Sequence, residues 1–548
     1  MAATVAIIGG GIGGLTAAQE LAERGLAVTV YEADDRLGGK AKSHAYRPQA
    51  DVALPAEHGF RYVPGFYRHL RHTLARIPRA DGTTVADHLI ETEETLVASV
   101  TDSASLKRTQ TPASVEEWLA AIRPSVGDDQ LSVREINYFQ RRLLTFLTSG
   151  RLRRRGDFDD VTLWAFLDAD TRSRSYRTYL AEVTQALVAM DPRRASARSI
   201  CRIHVQLVLD QVDPARSTEA VLDGPTSHVW IEPWVGYLRR RGVTFHTGAP
   251  ATAIETDGSR VTGVRIDGWD GPVTADYYVV AVPVEVMDEL VTPGLVRAAP
   301  SLAGVGELET AWMNGVQFYL TEDLPLSYGH QAYVDAPWAL TSISQGQFWA
   351  DGPYDLDDCG ADVAGVLSVN VADWETPGVV YGKPAAECTP EEIKTEVWTQ
   401  ITEHLEIDLE DDLIADWALD PAISYDRDRD RLTNRAPLLI NTVGSFGHRP
   451  SADTEAPNLT LAADYVRTDT DLATMESANE AGRRAARAIL RAEGEPSLPS
   501  VWSLAEPRVF EPFRRLDDAA YRAGAPHPGE LEREFRGGVA ATVGRLFR

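Results

Sequence analysis

Unbroken apolar runs and helical repeats alternate at both ends of the chain, while the middle changes rhythm. Thr4 to Ile8 reads as a buried strand, Leu15 to Arg24 as a helix, and Ala27 to Tyr31 as a second strand ending at Glu32. An aromatic stretch with Phe60, Tyr62, Phe66 and Tyr67 follows, punctuated by Pro64 and Gly65, and Tyr67 to Ile77 continues as a helix. Between 115 and 215 the pattern is helical: Val115-Glu116-Glu117-Trp118-Leu119 is one element, and Tyr176, Tyr179, Leu180 and Val183 share a face at i, i+3, i+4 and i+7 in another. Near 220 strands and turns return. Val229-Trp230-Ile231 precedes a helix reaching Arg241, Val243 to Phe245 opens a strand, and further strands cover Thr252 to Glu255, Val261 to Ile266 and Tyr277 to Val282 before Pro283 starts a helix.

A second mixed region runs from about 286 to 430. Gly315 to Tyr319 and Gly365 to Asn370 are predicted strands, and Thr389-Pro390-Glu391-Glu392 is a capping box ahead of a face carrying Val397, Ile401 and Leu405. Leu459 to Ala463 is a buried strand leading to Asp464, and from Met475 a helix places Met475, Ala478, Gly482, Ala485 and Ile489 near one face.

The turn between the first strand and helix carries the sharpest chemistry. Gly9, Gly11 and Gly14 fill the positions of a G-x-G-x-x-G loop, with Gly13 inside it and Glu32 at the end of the next strand. Such glycines permit a tight turn, close approach of a pyrophosphate and close helix packing, while the acid can accept ribose hydroxyls. Gly38-Gly39-Lys40 makes a second flexible turn whose cation either reaches a dinucleotide or stays in solvent.

Composition narrows the class. With 548 residues, 54 Lys and Arg against 81 Asp and Glu, the net charge of -27 disfavours nucleic acid as a partner and suits at least two domains. Cys201, Cys359 and Cys388 are too dispersed for a disulfide scaffold or zinc site, so buried thiols are expected, and no metal site is predicted. Asp408, Glu410, Asp411 and Asp412 are expected to face solvent. Lacking an apolar run of some 18 residues, the chain is expected in the cytoplasm, with peripheral membrane contact left open. The basic cluster Arg151, Arg153, Arg154 and Arg155 reads as a solvated loop or an anion-facing patch, and the amphipathic stretch Val501 to Phe513 as packed on its own domain, covering another subunit or membrane-facing.

Taken together, the opening loop, Gly38-Gly39-Lys40, the strand from Ala275 to Pro283 and Ala463-Asp464 resemble the flavin amine oxidase and phytoene desaturase superfamily. The resemblance implies an α/β fold with α+β insertions: a Rossmann-like FAD-binding domain from residues 1–75, 225–285 and 431–495, a discontinuous substrate and cap domain from 76–224 and 286–430, and a helical extension over 496–548. It implies that Gly9, Gly11, Gly13, Gly14 and Glu32 hold the adenosine diphosphate, Gly38, Gly39 and Lys40 adjoin the flavin, and the backbone of Ala251, Thr252 and Ala253 meets adenine. Asp464 matches a late acidic position, although Ala463 replaces the family's glycine, and Met475 to Asn479, including Ala478, would approach the isoalloxazine and pyrophosphate. Glu57-His58-Gly59-Phe60 and Arg467-Thr468-Asp469-Thr470-Asp471 resemble carotenoid-desaturase-like members.

The activity so implied is FAD-dependent removal of a hydride from a C–H bond of a small apolar substrate, isoprenoid-like or polyene, with oxygen or a quinone-like molecule as electron acceptor. Flavin-dependent double-bond isomerisation, amine oxidation, and a non-enzymatic flavin-bound assembly or sensor role are the alternatives, and a homo-oligomer is open. Candidate catalytic residues are His58, an acid or base near neutral pH, and Arg61 and Tyr62, which can position an oxygenated or anionic substrate end.

Overall fold

The computed structural model describes residues 2–46, 54–100, 102–107, 131–212, 219–350, 352–354, 356, 362–405, 411–429 and 431–528. Three distant parts of the chain build one parallel sheet, in the order Thr244–His246, Ala27–Tyr31, Thr4–Ile8, Tyr277–Val280 and Leu459–Leu461. Buried on both faces, these strands read as apolar runs rather than alternating ones. The opening helix, Ile12–Ala22, makes the first crossover, and the terminal helix, Met475–Ala492, packs along it. Their close approach depends on missing side chains. A Cβ on Gly13 would run into the carbonyl of Ala462, and one on Gly482 into the carbonyl of Gly13.

A second sheet of seven strands follows the order Ile414–Leu419, Asn314–Leu320, Gly365–Val371, Leu340–Ser344, His330–Tyr333, Glu94–Ser99 and Asp102–Lys107. Register separates its two faces. Val316, Phe318, Leu320, Leu367, Val369 and Val371 form an apolar core with Ile393, Val397 and Ile401 of the helix Pro390–His404. Thr389 caps that helix by accepting from the Glu392 amide, as the capping box predicts. The opposite face meets the first sheet's domain: the Gly315 amide donates to the His58 carbonyl at 2.7 Å, and the Tyr319 hydroxyl to the Pro55 carbonyl at 3.0 Å. The fold is thus the expected mixed α/β arrangement with a Rossmann-like parallel sheet.

Several local expectations change. Ser227–Ile231 is a wide helical turn running into Glu232–Arg240, so Val229 to Ile231 continue a helix. The face of Tyr176, Tyr179, Leu180 and Val183 likewise includes a π-helical stretch, Arg177–Glu182. Arg153 and Arg154 are neither solvated nor anion-facing. Arg153 Nε donates to Asp517 at 3.0 Å, and Arg154 pairs with Glu506 at 2.7 Å, so this cluster clamps the final helix, Glu511–Arg522, onto its own chain. Both guanidiniums are buried because long basic side chains pack their stems and satisfy their heads with fixed carboxylates. Cys201 and Cys388 are buried thiols. Val115 to Leu119, Cys359, Asp408 and Glu410 lie outside the described residues. Among the described residues, no helix is long and apolar enough to cross a membrane.

One buried charge cluster joins the late loop to the helical insertion. Asp471, fully buried and at φ 53°, pairs with Arg198 of the helix Ala197–Val212 and with Arg449, and accepts from Ser199 Oγ at 2.9 Å. Arg449 also donates to the carbonyls of Asp464, Tyr465 and Val466. A single guanidinium therefore sets the path of the turn after the last strand.

Gly13→Ala is expected to cost about 3 kcal/mol, the upper end of ordinary overpacking, in a urea unfolding titration. Arg449→Leu leaves three carbonyls unpaired and removes one partner of a buried carboxylate, so the same titration should show a loss of about 4 kcal/mol. Burial pushes the imidazoles of His204 and His44 down to about 4, the latter despite the opposing charge of Asp420. Both are neutral when folded, whereas the unfolded chain takes up protons below about 6.5, so they reduce stability as pH falls from about 6.5 to 4. Thermal unfolding across that range should show the decline, and His204→Gln should make it shallower.

Candidate functional site

At the mouth of the parallel sheet, Gly9 turns with φ 104° and donates its amide to the Tyr31 carbonyl at 2.8 Å. Gly11 then takes the N-cap position of the opening helix, and no side chain caps it. The amino end of this 11-residue helix is free to receive phosphate oxygens on its first-turn amides. Gly38 and Gly39, both at positive φ, bring the second turn against it: Gly11 pairs with Gly38, and a Cβ added to Gly11 would stand 3.7 Å from the Gly39 Cα. Gly14 carries no side chain because a Cβ there would strike the Gly9 carbonyl.

Glu32 stands at the end of the neighbouring strand. Its carboxylate is 8% exposed and accepts from the amides of Gly10 at 2.6 Å and Asp34 at 3.0 Å. A carboxylate offers about four lone-pair directions, which leaves capacity for ribose hydroxyls. Burial raises its pKa, partly offset by these two amides. The segment Gly248-Ala249 is tied to the carbonyls of Asp34 and Glu32 at 2.8 Å, which brings Ala251 to the same edge. Ala251 and Ala253 are half-buried on the ribbon Ala251–Thr256; Thr252 is exposed, and its hydroxyl bonds the Arg265 carbonyl. These residues fit an adenine dinucleotide.

Lys40 is not a solvated surface residue. Its ammonium donates to the Pro437 carbonyl and lies 3.6 Å from Glu285, whose carboxyl is raised by burial against the lowering effect of Lys40 and feels Asp464 as a second negative charge. Lys40, Glu285 and Asp464 thus form one polar edge where the glycine turn meets the last strand. Met475 and Ala478 are half-buried at the start of the terminal helix, with Ala478 beside Gly13.

The three candidate catalytic side chains separate. His58 pairs through Nδ1 with Asp420, which also accepts from Asn314 at 2.6 Å, while Nε2 of His58 is buried without a partner. Arg61 donates to the carbonyls of Gly59 and Lys40, joining the second glycine turn to its own segment. Tyr62 stacks on His330 at 5.5 Å, and burial pushes its phenol well above the usual range. His330 is held by Glu219 at 2.8 Å. Burial opposes its charge, yet Glu219 carries its pKa above the usual value.

Beside Arg61 lies a small cleft, with Glu57, Thr226 and Gln345 as its other polar walls and Ile343, Phe348 and Trp349 among its apolar ones. Glu57 accepts from the Thr226 amide at 2.8 Å, its hydroxyl at 2.9 Å and Ser43 Oγ at 2.9 Å. In the sequence Glu57 stands out only within a motif, and Ser43, Thr226 and Gln345 carry no local signal. Glu57 and Ser43 stand opposite each other across a short strand pair, but Thr226 and Gln345 arrive from remote segments with no shared spacing.

The family model described as flavin containing amine oxidoreductase matches residues 12–490. A carotenoid phi-ring synthase of Streptomyces griseus is 25% identical, with the match covering 94% of this chain and 93% of that protein. A zeta-carotene desaturase of Synechocystis is 26% identical, covering 89% and 97% respectively. Among solved structures, cyclohexylamine oxidase from Brevibacterium oxydans superposes with a TM-score of 0.59 at 15% identity, covering 90% of this chain and all of the other, which speaks to fold alone. With its parallel sheet, paired glycine turns and a family match over most of its length, the chain belongs to the flavin-containing amine oxidoreductase family, within the FAD-dependent amine oxidase and phytoene-desaturase-like superfamily, and is an oxidoreductase acting on a small organic substrate.

Proposed function

We propose that this chain binds FAD and acts as a desaturase or dehydrogenase, removing hydride from a C–H bond of an apolar, isoprenoid-like substrate. The observation that carries the reading is the shared wall between two sites. The Gly38-Gly39-Lys40 turn touches Gly11 on one side and receives Arg61 on the other, so a cofactor on the glycine turns and a substrate in the cleft would meet there. The two relatives matched over about nine-tenths of the chain are both carotenoid enzymes by name, which supports the substrate class.

Gly9, Gly11, Gly13, Gly14 and Glu32 would hold the adenosine diphosphate, and Gly38, Gly39, Lys40, Asp464, Met475 and Ala478 the remainder. Bound there, the flavin supplies a two-electron acceptor for a substrate C–H bond, to be reoxidised by oxygen or a quinone-like molecule. The chain's own groups orient and exclude. Arg61 is fixed by two backbone carbonyls, and Glu57 by three hydrogen bonds, so both present set geometry rather than swinging groups. Phe348 and Trp349 keep water from the apolar side of the cleft. Tyr62 remains a neutral phenol, available as a hydrogen-bond donor.

Mass analysis of the chromophore released on denaturation should identify FAD; NAD, or no nucleotide, would break the reading at its base. Anaerobic addition of polyenes should then bleach the visible flavin band. Bleaching by amines alone would move the assignment to amine oxidation, rearranged product without bleaching to isomerisation, and neither product nor bleaching across both panels to a non-catalytic role.

A further inference from the structure

Three apolar side chains stand side by side in solvent. Val379, Val380 and Tyr381 are 46%, 45% and 40% exposed, and among the described residues no other three consecutive large apolar positions are exposed together. Single exposed apolar residues are ordinary, whereas a contiguous set marks a contact surface. The three form the tip of the loop that leaves the strand Gly365–Val371 and enters the helix Pro390–His404. Pro377 and Pro384 stand opposite each other across its neck, and the Gly378 amide donates to the Lys383 carbonyl at 2.9 Å.

A buried carboxylate holds this tip in shape. Glu396, fully buried on the helix, accepts from the amides of Val379, Val380 and Tyr381, the last two at 3.0 and 3.2 Å, and from Nε2 of Gln400 at 3.0 Å. A Cβ on Gly378 would collide with that carboxylate. Three successive amides around one anion make a nest. The loop thus turns its peptide N–H groups inward and its apolar side chains outward. In water such an arrangement is unnecessary, because solvent satisfies exposed amides. A loop that enters a medium poor in hydrogen-bond partners needs it, since each amide taken out of water unpaired is costly.

Charge and area narrow the partner. Between residues 373 and 392 the single cation is Lys383, which pairs with Glu392 at 2.8 Å, while Glu375, Glu387 and Glu391 are exposed. Anionic lipid would be repelled, and the net charge of -27 on the whole chain adds to that repulsion. Three side chains, each less than half exposed, fall far short of the roughly 800 Å² per partner that a stable protein interface buries. They suit a bilayer surface, where two aliphatic side chains enter the acyl boundary and a tyrosine lies at headgroup level. We propose that the tip formed by Val379, Val380 and Tyr381 docks on a zwitterionic lipid bilayer, with Glu396 fixing its shape before contact. The proposal stands apart from the redox and substrate assignment.

The test is flotation of the full-length flavoprotein with vesicles of phosphatidylcholine and with vesicles rich in phosphatidylglycerol. Partition onto phosphatidylcholine is expected, with weaker partition onto the anionic vesicles at low salt. The combined substitution Val379→Ser, Val380→Ser and Tyr381→Ser should reduce it at least about tenfold by removing the apolar contact area. These side chains are exposed, so an unchanged thermal unfolding profile should accompany that loss. Tyr381→Trp adds a reporter at the tip, whose extra emission should be quenched by phosphatidylcholine brominated on the upper part of its acyl chains. Absence of binding to phosphatidylcholine would overturn the proposal, as would undiminished binding by the triple variant, tighter binding to the anionic vesicles, or tip emission untouched by the brominated lipid. A dimer in size-exclusion chromatography that the triple variant dissolves would also overturn it and reassign the tip to self-association. Flotation without flavin bleaching by any substrate would leave the docking tip standing and count only against the redox reading.

Discussion

The pairing of Asp471 with Arg198 and Arg449 is the constraint on which the arrangement of this molecule turns. A fully buried carboxylate is costly unless charges and hydrogen bonds surround it, and here two guanidiniums and a serine hydroxyl do so. Each partner comes from a different part of the chain: a helix of the central insertion, the segment before the last strand, and the loop before the terminal helix. Arg449 then spends its other donors on three successive carbonyls from Asp464 to Val466. The position of Asp464 is consequently inherited from a charge cluster it does not belong to. Alanine at 463 is compatible with this because Arg449, rather than glycine flexibility, dictates the turn.

The same logic recurs where helices meet. Glu476, in the first turn of the terminal helix, accepts from the His69 and Leu70 amides and thereby caps the helix Arg68–Leu74 from outside. Glu480 does the equivalent for Asp469 and Thr470. Arg483 binds Asn479, Thr73 and the His69 carbonyl. One face of the terminal helix supplies small residues for contact with the opening helix, while its polar positions satisfy orphaned backbone groups of its neighbours. That division explains why so polar a helix is so deeply buried.

What could be read from the sequence follows from how far each interaction reaches. The glycine turn, Glu32, the last strand and the Thr389 capping box declare themselves over a few residues, because backbone geometry and local periodicity impose those residue types. Arg153 and Arg154 read as solvated or anion-facing in the sequence because their partners, Asp517 and Glu506, lie more than 350 positions away. Asp471 was visible only as part of a motif, and Gln345 not at all. No spacing rule connects residues 61, 226 and 345; only the pairing of three sheets and turns does.

Alternation along the strands of the second sheet sorts its side chains between two faces. On the far face of the sheet Val316, Phe318, Leu367 and Val369 pack beneath the helix Pro390–His404. Register forces alternation, so the face turned toward the first sheet's side bears Gln317, Ser368 and Asn370 along with Tyr319, Ile343 and Val366. Shifting that alternation by one residue would move Gln317 and Ser368 into the apolar core and turn phenylalanine and valine to the opposite face. The apolar packing that stabilises the second sheet therefore decides which side chains are turned away from it, and Gln317 and Ser368 stand there beside the apolar Tyr319, Ile343 and Val366.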